Sequence, residues 1–421
     1  MMAGYRRVLR VPGMAPLMLL GMLVKLPVIA IPLVLALQVT LGLDRGMGAA
    51  GAVTGVWTLG AAVGSTVLGG AVDRHGVRSV LVSSAIAQGA FWSVAAVAPY
   101  AVLVVLAPLS GASLLLGSTV MRLSIRDRVP PADQQAAFAL DSMSSHLSYL
   151  SGPAVGALLA TQVSPAAATR LLGCLLVTAM LALATRVPSP ARRQPASVTS
   201  SPTPSDTSDT GDGSHGRDGV PWKTLLPVLG CTVAIGIVTS GFEMSLLSVL
   251  RAGDDLVWLG LLTALCGGYA VVGGFVVGLA PVRVPPWAAT ALLGATTAVL
   301  TRLTDWRVLT AAVAPAAAMS AVALTCTAST VGRGGSGSRR GRVIGLYGSA
   351  LGAGNALGAP IVGLATDSAG RSTWAGAGFA AVGGLAVAVG LLSGSAELAG
   401  RRRSTRVDAC PRSTLPSFPP S

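Results

Sequence analysis

Long apolar runs recur along this chain of 421 residues, and their lengths limit the folds that it can adopt. A bilayer core is about 30 Å thick and a helix rises about 1.5 Å per residue, so roughly 20 apolar residues make one crossing. Twelve runs approach or exceed this length. We predict an all-α polytopic membrane protein with twelve transmembrane helices, near residues 11–41, 48–72, 80–98, 101–121, 136–160, 166–185, 224–250, 256–280, 286–301, 308–331, 343–366 and 373–395.

The composition agrees with a membrane location. Hydrophobic residues make up 52% of the chain, charged residues only 11%, and the mean hydropathy is +0.68. Soluble domains carry about 25% charged residues. The net charge of +14 would suggest nucleic-acid binding in a soluble chain, but here it reflects basic residues at one membrane face. We expect a lipid bilayer as partner, no nucleic acid, and a monomer.

The distribution of basic residues predicts the orientation, because cytoplasmic loops retain Lys and Arg. With the N-terminus inside, 23 of the 30 Lys and Arg residues lie on the cytoplasmic side and six lie outside. Both termini are then cytoplasmic, in the inner (plasma) membrane of a bacterium. The opening MMAGYRRVLR is interpreted as the start of the first membrane helix rather than a signal peptide, because the apolar run continues past Leu35.

A stretch rich in Ser, Thr, Pro and Asp separates the first six apolar runs from the last six. Such a composition buries too little apolar surface to fold. We therefore predict four parts: an N-terminal six-helix bundle (1–186), a disordered cytoplasmic linker (187–222), a C-terminal six-helix bundle (223–396) and a disordered cytoplasmic tail (397–421).

The two halves also resemble each other in sequence. At one offset, Pro153 falls on Pro360 and Gly156 falls on Gly363, in the fifth segment of each half. Many transporters are built from such repeats, with the substrate site between them near the membrane midplane. The repeat predicts two pseudo-symmetric bundles.

Two motifs carry a family resemblance. The loop between the second and third segments fits G-x-x-x-D-R-x-G-x-R through Gly69, Asp73, Arg74, Gly76 and Arg78. The fifth segment contains SGPAVGA, with Gly152, Pro153 and Gly156. With the six-plus-six layout, these motifs resemble the major facilitator superfamily over nearly all of the chain apart from the linker and tail. The resemblance implies the fold of that superfamily, with two six-helix bundles, and the function of a secondary transporter. The helix-five motif implies an antiporter that works in efflux.

The charges of the loop motif predict a gate. Asp73 and Arg74 lie at a membrane boundary, where they can pair with charges or helix termini nearby, and Gly69 lets helix ends approach closely. Such contacts would hold the cytoplasmic face closed and release during transport. The alternative is that Arg74 and Arg78 only fix the orientation. The matching loop of the second half has one arginine and no acid, and no arginine lies mid-way along the fourth segment, where many proton antiporters of the superfamily carry one.

Ionisable groups inside membrane helices are costly, so they are candidate substrate or coupling residues. Lys25 lies near the midplane, before Pro27 and Pro32, which can bend the helix beside a cavity. No acidic partner is evident at its depth. We therefore expect a fixed positive charge that attracts an anionic substrate group or balances Glu243. The alternative is a lysine that extends to the interface.

Four further polar residues are candidates. Glu243, in the seventh segment, is expected to take up a proton or contact substrate, unless it faces external water. Asp141 and His146 lie near the cytoplasmic end of the fifth segment, at a spacing that does not place them on one helix face. A role in capping or helix packing therefore fits both residues as well as a proton relay does. Asn355, among Gly and Ala in the eleventh segment, is expected to form an interhelical hydrogen bond.

The sequence thus predicts a transporter that exports a small organic solute by alternating access. An ion (proton) gradient would drive it, because no G-x-x-x-x-G-K-[ST] nucleotide loop is present. The alternatives are a membrane-embedded enzyme, which the scattered His75, His146 and His215 disfavour, and a non-transporting sensor or scaffold. We expect no cofactor and no metal, because the five cysteines occur singly.

Overall fold

A computed structural model describes residues 2–114, 120–121, 124–125, 128–130, 133–187, 222–279, 284–303, 305–333, 339–369 and 376–408. Within these ranges the side chains of Asp73 and His146 are among those not described. Every regular element of the described residues is helical, as the apolar runs predict.

The helices follow the twelve predicted segments, with one short helix before them. The first part of the chain forms α1 (Met2–Arg10), α2 (Met14–Leu37), α3 (Met47–His75), α4 (Val77–Ala95), α5 (Tyr100–Ser113), α6 (Gln134–Gln162) and α7 (Pro165–Arg186). The second part forms α8 (Trp222–Ala252), α9 (Leu259–Leu279), α10 (Pro286–Val299), α11 (Trp306–Arg333), α12 (Arg339–Ala369) and α13 (Ala377–Asp408). A π-helical turn, Gln38–Gly42, extends α2.

Seven described helices are long and apolar enough to cross a membrane by length and composition. They are α2, α3, α7, α8, α9, α11 and α13. Of the other five, α5 and α10 have 14 residues each, and α4, α6 and α12 carry more polar residues. Twelve crossings therefore stay a prediction for those five helices.

The N-terminus differs from the predicted single first helix. Gly13 separates α1 from α2. Its φ of +78° is a left-handed conformation that interrupts the helix, and glycine adopts it readily because it has no side chain. On α1, Val8 is fully buried while Arg7 is exposed and its Nη2 lies 2.8 Å from Asp133 Oδ1, next to the start of α6. The hydrogen bond and charge of Asp133 raise the pKa of Arg7.

The C-terminal end also differs. The prediction of disorder from residue 397 onward is wrong, because α13 continues as a helix to Asp408. The predicted linker and the end of the tail lie outside the described residues over 188–221 and 409–421. Polar composition alone misplaced the end of the last helix, since polar residues such as Arg and Glu also form helices.

Helix packing repeats between the two halves of the chain. In the first half, α2 packs on α6 and α7, α3 packs on α5, and α4 packs on α7. Six helices later, α8 packs on α12 and α13, α9 packs on α11, and α10 packs on α13. The two halves, α2–α7 and α8–α13, therefore share one internal arrangement.

Small residues allow the closest of these contacts. A Cβ added at Gly111 of α5 would lie 2.7 Å from the backbone nitrogen of Ala61 in α3, and one at Gly294 of α10 would lie 2.6 Å from the nitrogen of Val387 in α13. In membranes, helices associate through such close van der Waals packing because lipid offers no hydrophobic driving force between them. The high glycine content is thus used in the packing within each half.

Candidate functional site

Two helix pairs join the halves, α3 with α12 and α6 with α9, and both are in contact near the same end of the molecule. We call this the closed end; it carries the α2–α3, α6–α7 and α8–α9 connections. A Cβ added at Gly55 of α3 would lie 2.5 Å from Pro360 Cγ of α12. One added at Gly260 of α9 would lie 2.9 Å from Leu158 Cγ of α6. The halves therefore meet closely here.

At the opposite end, which we call the open end, α3 and α12 separate. No atom of the described residues lies within 4 Å of a Cβ added at Gly69 or Gly70 of α3, or at Gly345 or Gly348 of α12. These positions continue the helix faces that touch at the closed end, because they follow at spacings of about seven residues. Within the described residues, α3 and α12 are therefore not in contact at these positions of the open end.

A carboxylate from one half caps a helix of the other at the closed end. Asp367, at the end of α12, accepts hydrogen bonds from the backbone nitrogens of Met47 (3.0 Å) and Gly48 (2.8 Å) in the first turn of α3. The N-cap residue of α3, Gly46, has no side chain that could accept these bonds. Asp367 therefore supplies both the missing acceptor and a negative charge at the positive end of the helix.

A second polar contact crosses the halves beside this cap. The guanidinium of Arg251, at the end of α8, lies 3.6 Å from Asp44 Oδ1 and donates a hydrogen bond of 3.4 Å to the carbonyl of Arg45. Asp44 is largely exposed, so solvent weakens this ion pair and we attribute most of the polar closure to Asp367.

A small cleft of about 20 Å³, room for a water molecule, lies between the halves, below the closed end, and is partly open to solvent. Four helices line it: α2 through Pro32, α3 through Thr54, α8 through Ser240 and Glu243, and α12 through Ala359. Glu243 thus lies at the junction of the halves rather than at an external surface. Among the described residues its carboxylate has no hydrogen-bond or ion-pair partner.

Lys25 is buried within the first half and has an acidic partner. Its Nζ lies 2.5 Å from Asp141 Oδ1 and also donates to Ser144 Oγ at 3.0 Å and Ser145 Oγ at 2.9 Å. Both charged residues are less than a tenth exposed. An ammonium has three donors, so these acceptors, with the Asp141 carbonyl at 3.1 Å, satisfy it completely.

The expectation that no acid lies at the depth of Lys25 is therefore wrong, as is the expectation that Lys25 balances Glu243. Lys25 is about 16 Å along α2 and Asp141 about 10 Å along α6, and the long lysine stem bridges the difference. Sequence spacing alone could not show that these two helices pack side by side. The side chain of His146 lies outside the described residues, so its predicted role stays untested.

The second half has a neutral counterpart of this link. Thr239 Oγ1 of α8 donates a 3.0 Å hydrogen bond to Asn355 Oδ1 of α12, the helices that correspond to α2 and α6. The structure thus contains the interhelical hydrogen bond expected for Asn355. Each half therefore has a polar link between corresponding helices, α2 with α6 in the first half and α8 with α12 in the second.

The residues of the loop motif lie at the open end. Gly76 has a φ of +83°, which glycine adopts without strain, and it ends α3 and begins α4. Arg74 and Arg78 are exposed, and neither forms an ion pair within the part of the chain that the structure describes. Gly69 makes no close contact, so the close approach expected there is absent in this conformation.

The helix-five motif packs within the first half. A Cβ added at Gly152 would lie 2.7 Å from the carbonyl oxygen of Leu26, and one at Gly156 would lie 2.8 Å from Val34 Cγ2, both on α2. Pro153 lies between them inside α6. The motif therefore keeps α6 close to α2, the helix that carries Lys25.

The comparison with known families decides the classification. The family model of the Major Facilitator Superfamily matches residues 17–302, which is more than half of the chain. The chain belongs to the Major Facilitator Superfamily. Members of this superfamily are transporters, so the chain is a transporter of a small molecule rather than an enzyme.

Solved structures of other transporters share the fold over nearly the whole chain. The nucleoside transporter NupG is 13% identical, with 90% of this chain and 98% of that chain covered and a TM-score of 0.69. The peptide transporter POT in complex with sulfate is 12% identical, with 94% and 95% covered and a TM-score of 0.68. A bacterial homolog of the human lysosomal transporter Spinster is 13% identical, with 91% and 95% covered and a TM-score of 0.64. No curated protein matches the chain in sequence.

Two residues of this superfamily member were missed by the sequence analysis. Asp367 follows directly after the predicted eleventh segment, and nothing in the sequence distinguishes Thr239 from other hydroxyl residues of the seventh. The sequence before α3 indicates that this helix needs a cap from elsewhere. Its N-cap residue is Gly46, not the Ser, Thr, Asp or Asn whose side chain usually caps a helix.

Proposed function

We propose that this protein exports a small organic solute by alternating access, in exchange for protons, across the inner membrane of a bacterium. The observation that carries this proposal is the contact between the halves at the closed end and their separation at the open end, with a small cleft between them. Contact at one end and separation at the other is the geometry expected of one of the two states that alternating access requires.

The direction of opening follows from the basic residues. If both termini are cytoplasmic, the open end faces the cytoplasm. The similar Spinster homolog carries the description "inward-facing and occupied", which agrees with this orientation. An exporter must collect its substrate from the cytoplasm, and the helix-five motif supports that direction.

Transport is tested in two steps. Metabolites secreted by a deletion strain and by the complemented strain are compared, and the compound whose secretion falls is then used in counterflow with the purified protein in proteoliposomes. We expect labelled compound to accumulate transiently, and an opposing pH gradient to increase the accumulation. Lack of counterflow with a folded, reconstituted protein would favour a sensor or scaffold instead.

The orientation makes a separate prediction. Reporter domains fused after Gly211 and after Ser421 should both behave as cytoplasmic, because basic residues are retained on that side. Alkaline phosphatase and green fluorescent protein fusions at the two sites measure this. A periplasmic signal at either site would reverse the assignment of the open end.

The loop motif makes a further prediction. Asp73→Asn should lower the rate of counterflow severalfold while membrane expression stays unchanged, because a carboxylate at the open end is needed to close that end against neighbouring helix termini. Asp209→Asn, which removes a carboxylate from the predicted linker, is the matched control and should transport normally. An unchanged rate in Asp73→Asn would remove the gating role.

A further inference from the structure

The short helix α1, before the first membrane helix, has an exposed basic face. Arg6 and Arg10 are four residues apart, so they lie on the same side of the helix, and both are exposed. Among the described residues neither of them forms an ion pair, whereas Arg7 has Asp133 as its counter-ion. The outer face of α1 therefore carries two positive charges that the described protein does not balance.

The opposite face fixes α1 on the first half of the molecule. Val8 is fully buried and belongs to the main hydrophobic core, and the helix packs on α2 and α6. At 3.6 residues per turn, Val8 lies about 160° around the helix from both Arg6 and Arg10. Burial of Val8 and the ion pair of Arg7 with Asp133 therefore hold α1 with its basic face turned outward.

An apolar flank lies between these two faces. Positions 2, 5 and 9, which are Met, Tyr and Leu, follow one another at helical spacings of three and four residues. Leu9 is 45% exposed, although it is a large apolar side chain. A helix with arginines on one face and an exposed apolar flank is typical of helices that lie in the membrane interface.

The position of α1 agrees with such a role. Three residues, 11–13, separate it from α2, the first helix that is long and apolar enough to cross a membrane. Hydrogen bonds from the nitrogen of Val11 to the carbonyl of Val8 (3.1 Å) and from the nitrogen of Met14 to the carbonyl of Val11 (3.0 Å) keep the connection compact. Even a fully extended connection would span only about 10 Å. The end of α1 is therefore held beside the headgroup layer of the bilayer.

We propose that α1 is an interfacial anchor that binds anionic phospholipid, with Arg6 and Arg10 on headgroup phosphates and Leu9 at the acyl-chain boundary. Guanidinium groups bind phosphate oxygens through paired hydrogen bonds, and the two arginines are about 6 Å apart along the helix. An acidic protein surface would match the charge too, but exposed Leu9 and the adjoining membrane helix favour lipid. Because α1 packs on α2 and α6, the bound lipid is attached to the first half.

A fluorescent label on the full-length protein in liposomes tests the proposal. The environment-sensitive dye NBD is attached through Leu9→Cys, in a background without the five natural cysteines. As phosphatidylglycerol replaces phosphatidylcholine, the emission should shift to shorter wavelength, and nitroxides on the lipid acyl chains should quench it more strongly. Inorganic phosphate added to phosphatidylcholine liposomes should leave the emission unchanged, which distinguishes a lipid headgroup from free phosphate.

Two double variants assign the effect to the basic face of α1. Arg6→Gln with Arg10→Gln should raise the share of phosphatidylglycerol needed for half of the shift severalfold, or remove the shift, because each arginine adds attraction to an anionic surface. Arg170→Gln with Arg302→Gln removes the same charge from two exposed positions of the closed end and should respond as the original protein does. Thermal unfolding confirms that both are folded.

Several outcomes overturn the inference. They are an equal signal in both lipids, an unchanged response in the Arg6 and Arg10 double variant, an equal loss in the closed-end variant, or a shift with free phosphate alone. A label that stays in water at every lipid composition would favour an acidic protein surface instead. Failure here is separable from failure of the proposed function, since the measurement needs no substrate and both leaflets have the same lipids.

Discussion

Lys25→Met should lower the free energy of unfolding by about 3–5 kcal/mol, because it leaves the Asp141 carboxylate buried without its counter-ion. The hydroxyls of Ser144 and Ser145 would also lose their shared donor. Since α2 and α6 carry the two partners, the loss should loosen the first half as a unit. Equilibrium unfolding in mixed detergent micelles measures the change.

The double variant Lys25→Met, Asp141→Asn identifies the cause. With both charges removed, we expect recovery of more than half of the lost stability, since replacing a complete buried pair costs much less than breaking it. The neutral link of the second half is the matched control: Thr239→Val should cost only about 0.6–1.7 kcal/mol. A single Lys25→Met variant as stable as Thr239→Val, or a double variant no better than the single one, would contradict the structural role of the pair.

Asp367→Asn should shift the conformational equilibrium away from the closed end by about fivefold. The substitution removes the charge at the N-terminus of α3, and such capping interactions contribute about 1 kcal/mol. Spin labels at Val97 and Val299, two exposed positions of opposite halves near the closed end, should show a larger population at long distances. Pulsed electron paramagnetic resonance measures that population.

A matched control is present on the same surface. Asp305 accepts a 2.9 Å hydrogen bond from the nitrogen of Arg307, so it caps α11 within its own half. Asp305→Asn should therefore weaken a local helix end without changing the distance between the labels. Equal distance distributions in Asp367→Asn and the original protein would show that the contact does not hold the halves together.

The fold was largely predictable because bilayer thickness sets helix length, and composition along the chain reports it directly. Within the described residues, each of the twelve apolar runs contains a helix. The errors lie where the bilayer imposes no constraint. Gly13 breaks the helix before the first crossing, and the last helix extends into a polar stretch up to Asp408, where apolar composition carries no information.

The site was less predictable, because its contacts join residues far apart in the chain. Lys25 and Glu243 were recognised as costly charges, which requires only their depth in a helix. Which acid pairs with Lys25 depends on the neighbours of α2, and the cap by Asp367 depends on the approach of two helices from different halves. Neither follows from residue spacing. The roles of the loop-motif residues stay predictions, since Asp73 is not among the described side chains.

The contact between Ala62 and Gly352 has a mechanical consequence. A Cβ added at Gly352 would lie 3.4 Å from Ala62 Cβ, and beyond this point α3 and α12 diverge. Along α3, Gly48 and Gly76 are each about 21 Å from Ala62, on opposite sides. If the helices rock about this contact, the two arms are equal in length, so each ångström of closure at one end opens the other by about the same amount. Neither end then moves farther than the other, so the closed end must open by about as much as the open end closes.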